Sequence, residues 1–248
     1  MSLSSANYIF LPWVRQGAAS GIKTPDMSAN QPGVVSVRVK LGLNNASPDI
    51  ERQVRFYGPG DITGIDRLQV IRTEPRHLST DFEPNYFPAV EFDRPDFPWI
   101  FTPAVANADG KLRPWLCLVV VRKQHDVTLR VDRHLPLPVL EIKAHAAHEL
   151  PDLAESWAWA HAQVAGSARN KDSLEKSLGG DPALTLSRLL CPRRLDPLTD
   201  YVACVVPTFE SGRKAGLGLT IRRDGEQDEE KELLPTWTPQ ADAVTLPV

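Results

Sequence analysis

Proline restricts this chain more than any other residue. There are 22 prolines in 248 residues, about 9% where roughly 5% is usual, and each one fixes φ and removes a backbone donor. Spread over the whole length, they disfavour long helices and long central strands, and with them a helical bundle or a doubly wound α/β domain. The 15 glycines and the 42% hydrophobic content are those of a chain that builds a core, not of a collagen-like or low-complexity one.

Charge and cysteine usage narrow the function classes. With 28 basic and 31 acidic residues, the net charge is −3, so no global field favours nucleic acid or an anionic membrane. Cys117, Cys191 and Cys204 have no metal-ligand spacing, and an odd count gives no disulfide framework, so a reducing, cytoplasmic setting is expected. No apolar run approaches the roughly 20 residues of a membrane span, and the first residues do not read as a secretory signal.

The pattern along the chain predicts mostly strands. Residues 35–41 (VSVRVKL) alternate apolar and polar, and residues 50–57 follow with Val54 and Phe56 on one face, predicting a hairpin with a long loop. Gly58-Pro59-Gly60-Asp61 ends the second strand, and a third spans 67–73. Residues 112–123 hold the apolar run LCLVVV, joined through Gln124-His125-Asp126, as a hairpin, to a strand at 127–131 that extends toward 139–142. A strand at 201–208 precedes a glycine-bearing loop at 211–218 and an acidic, solvated loop at 224–232. The final residues, 243–248, are apolar, so they either pair with a strand or lead into further chain.

Two helices are expected between these strands. Leu153, Trp157, Ala160, His161 and Val164 recur at helical spacing behind Glu149, Pro151, Asp152 and Glu155, predicting a helix that closes at Gly166. A shorter one is predicted over 183–190, capped by Asp181 with Pro182 at its first position.

One segment stands apart. Phe82, Tyr86, Phe87, Phe92, Phe97, Trp99 and Phe101, seven of the chain's 8 Phe, 6 Trp and 4 Tyr, lie within 82–101, interleaved with Pro84, Pro88, Pro95 and Pro98. Such a strap, 81–104, is held extended and loses little entropy on docking, while its rings offer large buried area. It either lines its own core, grips a neighbouring subunit, or forms an aromatic platform for a peptide or glycan. Its five acids and single arginine argue against nucleic acid.

No enzyme motif is present: GxSxG, P-loop, GxGxxG, CxxC and DxDxDG are all missing from the sequence. A helix could place three of Glu141, His145, His148 and Glu149 on one side, but HxxHE is no recognised zinc spacing, and a solvated helix start is the simpler reading. His161 and Ser156 carry no mark of a ligand or a nucleophile, and GRKAGLG at 212–218 lacks a phosphate-loop ending. The residues therefore nominate no catalytic, cofactor or metal site.

Five stretches do carry a resemblance: FLPWVRQG (10–17), VRFYGPGDITGID (54–66), RTEPRHLSTDFEPNYFPAVEFDRPDFPWIFTPA (72–104), LRPWLCLVVV (112–121) and ELPDLAESWAWAHAQV (149–164). Together they resemble a family of bacterial proteins encoded with contractile, phage-tail-like injection systems. The resemblance implies a structural component of cap or adaptor type, with sheath, tube or terminator subunits as partners, and a chain that continues past Val248. It brings no catalytic residues.

The expected fold is therefore α+β: a mainly antiparallel β domain over 1–144 that includes the strap, a small helical insertion over 145–195, and returning strands with the acidic loop over 196–248. The expected function is a non-enzymatic structural subunit of an injection particle assembled in the cytoplasm. Tail-like assemblies are rotationally symmetric, so such a subunit is expected as a homo-oligomeric ring or a sixfold decoration, with heterologous contacts between copies and the seven aromatics as interface. The competing expectation is a particle-associated hydrolase or a peptide- or glycan-binding module.

Overall fold

The computed structural model describes residues 8–12, 14, 34–40, 49–55, 57–166, 170–219 and 233–248. In chain order the strands are β1 (Tyr8–Leu11), β2 (Val34–Lys40), β3 (Asp49–Arg55), β4 (Val70–Glu74), β5 (Ala89–Phe92), β6 (Leu116–Arg122), β7 (Val127–Arg130), β8 (Val139–Ile142), β9 (Ala160–Ala165), β10 (Thr185–Leu190), β11 (Tyr201–Pro207) and β12 (Val244–Pro247). The α-helices are short: α1 (Ala146–Glu149), α2 (Lys171–Leu178) and α3 (Glu210–Gly216). Among the described residues every strand pairing is antiparallel, so the fold is α+β and mainly antiparallel β, as expected.

Strand β6 organises the interior. Its run of apolar residues is buried on both faces, which is why the sequence shows no alternation there. Leu116, Leu118 and Val120 join Phe92, Trp99, Ala160 and Leu189 in one core. Cys117, Val119 and Val121 join Val127, Leu140, Ile142 and Leu246 in another. The ribbon β6–β11 thus lies between a five-stranded sheet ordered β1-β9-β10-β5-β4 and a three-stranded sheet ordered β12-β8-β7.

Prolines sit where the lost donor does little harm. Pro59, Pro98 and Pro182 lie in the first positions of 3-10 turns, and Pro207 and Pro247 end their strands. The predicted hairpin is β2 with β3, in unbroken register from Val34↔Arg55 to Lys40↔Asp49. Phe56, the acidic run 224–232 and most of the first 33 residues lie outside the described residues. The apolar terminus pairs as β12 against β8.

Several expectations are corrected. Residues 149–166 are not one helix: α1 ends at Glu149, a 3-10 turn covers Leu153–Trp159, and β9 follows. Residues 183–190 are not a helix either, because Asp181 caps only the turn Pro182–Leu184, its carboxylate accepting from the Ala183 N–H, before β10 begins. The segment 145–195 does hold helical turns and α2. It also supplies β9 and β10, which stand inside the five-stranded sheet instead of outside the β fold.

The physical reason is a period of two hidden by small residues. Ala160, Ala162 and Val164 face inward from β9, and Thr185, Ser187 and Leu189 from β10. Buried Ser187 is tolerated because its hydroxyl donates to the Arg94 carbonyl at 2.6 Å.

The third correction concerns connections. β6 and β7 form no hairpin: β6 pairs with β11 and β7 with β8. Likewise the predicted third strand begins at Val70, since Arg67–Gln69 forms a 3-10 turn capped by Asp66. The fourth is 211–218, expected as a loop, most of which is α3. A Cβ on Gly212 would meet Pro207 Cβ at 2.9 Å, and one on Gly216 would meet Pro247 at 2.6 Å, so these glycines let the helix approach two strand ends.

Candidate functional site

The aromatic strap divides at β5. Its second half is core: Phe92, Phe97 and Trp99 are buried, and Phe101 is half-buried. Phe92 and Phe97 stack at 4.5 Å, Phe101 meets Trp115 edge-on at 5.0 Å, and Phe97 lies 6.1 Å from Trp115. Two indoles lock the turn, since Trp99 Nε1 donates to the Leu112 carbonyl at 2.9 Å and Trp115 Nε1 to the Phe97 carbonyl at 2.8 Å. Buried Asp96 is held by Arg94 through contacts of 3.1 and 3.2 Å. Phe92, Phe97 and Trp99 therefore cannot serve as a docking surface, which corrects the expected interface at those positions.

The first half is different. Tyr86 is 67% exposed and Phe87 48% exposed, while Phe82, half-buried, meets Tyr86 edge-on at 6.4 Å. Phe87 also meets Trp159 at 5.6 Å, with ring planes 67° apart. Sheet register explains this meeting: β5 and β9 both flank β10, with Ala89 opposite Leu190 and Ala160 opposite Leu189. The residues just before each strand thus converge at one end of the sheet. Sequence reading missed Trp159, because the helix expected there concealed the start of β9.

Pro88 fixes the geometry between the two halves. It is buried, and its carbonyl accepts from the Cys191 N–H at 2.9 Å. The exposed rings consequently sit next to a backbone anchored to the strand exit after β10.

The other nominated residues are occupied structurally. Glu141 accepts from Arg130 Nε at 2.8 Å, and buried Glu149 accepts from Arg193 Nη1 at 2.6 Å. The rings of His145 and His148 lie 6.2 Å apart, and among the described residues no group of three His, Cys, Asp or Glu converges on a metal position. His161 lies on the outer sheet face, edge-on to Phe10 at 6.3 Å, and burial together with the Arg188 charge pushes its pKa down. Ser156 is buried with no base beside its hydroxyl.

A cavity of about 80 Å³ lies between Ile62, Ile65, Trp115, Leu137, Val205 and Pro247. That is well below the roughly 300 Å³ at which small-molecule pockets begin, and its walls are mostly apolar. No helix among the described residues is long and apolar enough to cross a membrane. Comparison with protein-family profiles, with curated proteins and with solved structures finds no match for this chain.

Proposed function

We propose that this chain is a non-enzymatic structural subunit, of cap or adaptor type, in a contractile phage-tail-like injection particle assembled in the cytoplasm. It works through contacts with copies of itself and with sheath, tube or terminator subunits. The observation that carries this reading is the exposed pair Tyr86 and Phe87, backed by half-buried Phe82 and Trp159, at one end of the five-stranded sheet. Large rings exposed on a pre-ordered frame are what an interface anchor requires. The resemblance of residues 10–164 to proteins encoded with such particles supplies the kind of partner.

A second reading uses the same rings. Phe87 and Trp159 would form the wall of a peptide- or glycan-binding module carried by the particle, since two convergent rings suit a sugar face or a proline.

One experiment separates the two. A Tyr86→Ser/Phe87→Ser variant, tagged and expressed in a host that carries the particle genes, should fold and yet be lost from purified particles. If it is retained at the wild-type level, the exposed rings do not dock the subunit. Retention together with loss of glycan-array or peptide-array binding would favour the second reading.

A further inference from the structure

The free edge of the five-stranded sheet carries a self-complementary pattern. Among the described residues, β4 has β5 as its only strand neighbour, so its outer backbone edge is open. Natural sheets blunt such edges, and here the blunting is one register shift between Val70 and Arg72, at Ile71. Beside that edge, among charged and polar neighbours, two leucines point outward: Leu68 is 82% exposed and Leu78 is 84% exposed. Leu78 stands at φ 60° in the turn closed by the Ser79 N–H on the Arg76 carbonyl, a left-handed conformation that is rare for leucine.

These residues are arranged symmetrically about Thr73. Arg72 and Glu74 flank it at one residue, and Leu68 and Leu78 flank it at five. We propose that β4 pairs antiparallel with β4 of a second copy of this chain, with the two-fold axis at Thr73, joining two five-stranded sheets into one.

Charge and side-chain parity select that register. Directly opposed residues in an antiparallel pair must point to the same face, so the axis passes through a residue and not between two. An axis at Arg72 would set Arg72 against Arg72 of the partner subunit, and an axis at Glu74 would oppose two glutamates. Only the axis at Thr73 sets Arg72 against Glu74 of the partner subunit, twice by symmetry.

Within one copy these two side chains already pair, Arg72 Nε donating to Glu74 Oε1 at 2.8 Å, and Glu91 on β5 adds its charge to Arg72. Pairing across the axis makes this a closed group of alternating charge. It also leaves Leu68 and Leu78, in the turns at either end of β4, next to the joined edge, where both exposed side chains gain cover. The ladder stops at Pro75, which has no N–H to donate. This contact is independent of the strap rings and does not require the particle reading.

The test uses the full chain. Sedimentation equilibrium should give a species of twice the 27.5 kDa chain mass. A Thr73→Cys variant should form a covalent dimer with a short bismaleimide, while the wild-type chain, whose three cysteines are all buried, should not. A Leu68→Asp/Leu78→Asp variant should keep the wild-type circular dichroism and sediment as a single chain. A wild-type protein that remains monomeric at all concentrations overturns the proposal. So does a dimer that Thr73→Cys fails to link, or one that persists in the double aspartate variant.

Discussion

Arg193 Nη1 lies 2.6 Å from Glu149 Oε2 and donates as well to the backbone carbonyls of Val120 at 2.9 Å and Glu149 at 3.2 Å. The carboxylate also accepts from the Arg122 N–H at 3.2 Å. The pair therefore fastens the end of α1, the middle of β6 and the strand exit after β10 to one another. Burial pushes the Glu149 carboxyl up, but the hydrogen bonds from Arg193 and Arg122 and their charges outweigh it, and the group ends below its ordinary value.

Removing one partner leaves the other charge buried. Arg193→Ala should lower the unfolding free energy by about 3–5 kcal/mol, read from urea midpoints at neutral pH. Because the folded-state pKa of Glu149 is depressed, its stabilising contribution is complete above the ordinary value of 4.5 and is lost as pH falls through the lower folded value. The gap between wild type and Arg193→Ala should accordingly shrink on acidification. A gap that stays constant down to the acid transition would show that the ion pair is not its source.

The two halves of the strap should respond oppositely to truncation. Trp99→Ala removes a fully buried ring and orphans the Leu112 carbonyl, a loss of about 3–5 kcal/mol, enough to unfold a marginal domain. Tyr86→Ser, at an exposed position, should stay within about 0.5 kcal/mol of wild type. Thermal melts of the two variants check this, and equal melting shifts would contradict the division at β5.

Helix α3 offers a test in which helix propensity and packing disagree. Gly216→Ala should gain up to about 1 kcal/mol from propensity, yet the new Cβ would stand 2.6 Å from Pro247 Cβ and Cγ. Overpacking of this kind costs about 1–3 kcal/mol, so packing wins and the melting temperature should fall. A rise would mean that β12 can move away from α3 freely.

What was legible in the sequence follows from these forces. The β2–β3 hairpin, β6, β11 and the cap at Asp181 were readable because alternation, continuous apolarity and cap chemistry are local signals. β9 and β10 were not, because inward alanines carry high helix propensity and inward Thr185 and Ser187 reverse the expected polarity. The apparent helical stripe runs across two elements, with Leu153 and Trp157 in a 3-10 turn and Ala160, His161 and Val164 in β9. In the strap, composition identified an unusual segment. Only the register of β5 against β10 decides that Phe92 turns inward while Phe87 stays outside, and that Trp159 joins it.

The proposed role makes this chain a built-in piece of an injection particle. Electron cryomicroscopy of particles purified from a host carrying the gene cluster, with this chain labelled, tests it most directly. Label density is expected at one fixed axial position, repeated around the particle axis, with defective particles when the gene is deleted. Intact particles from the deletion host, with the labelled chain free in the supernatant, would contradict it.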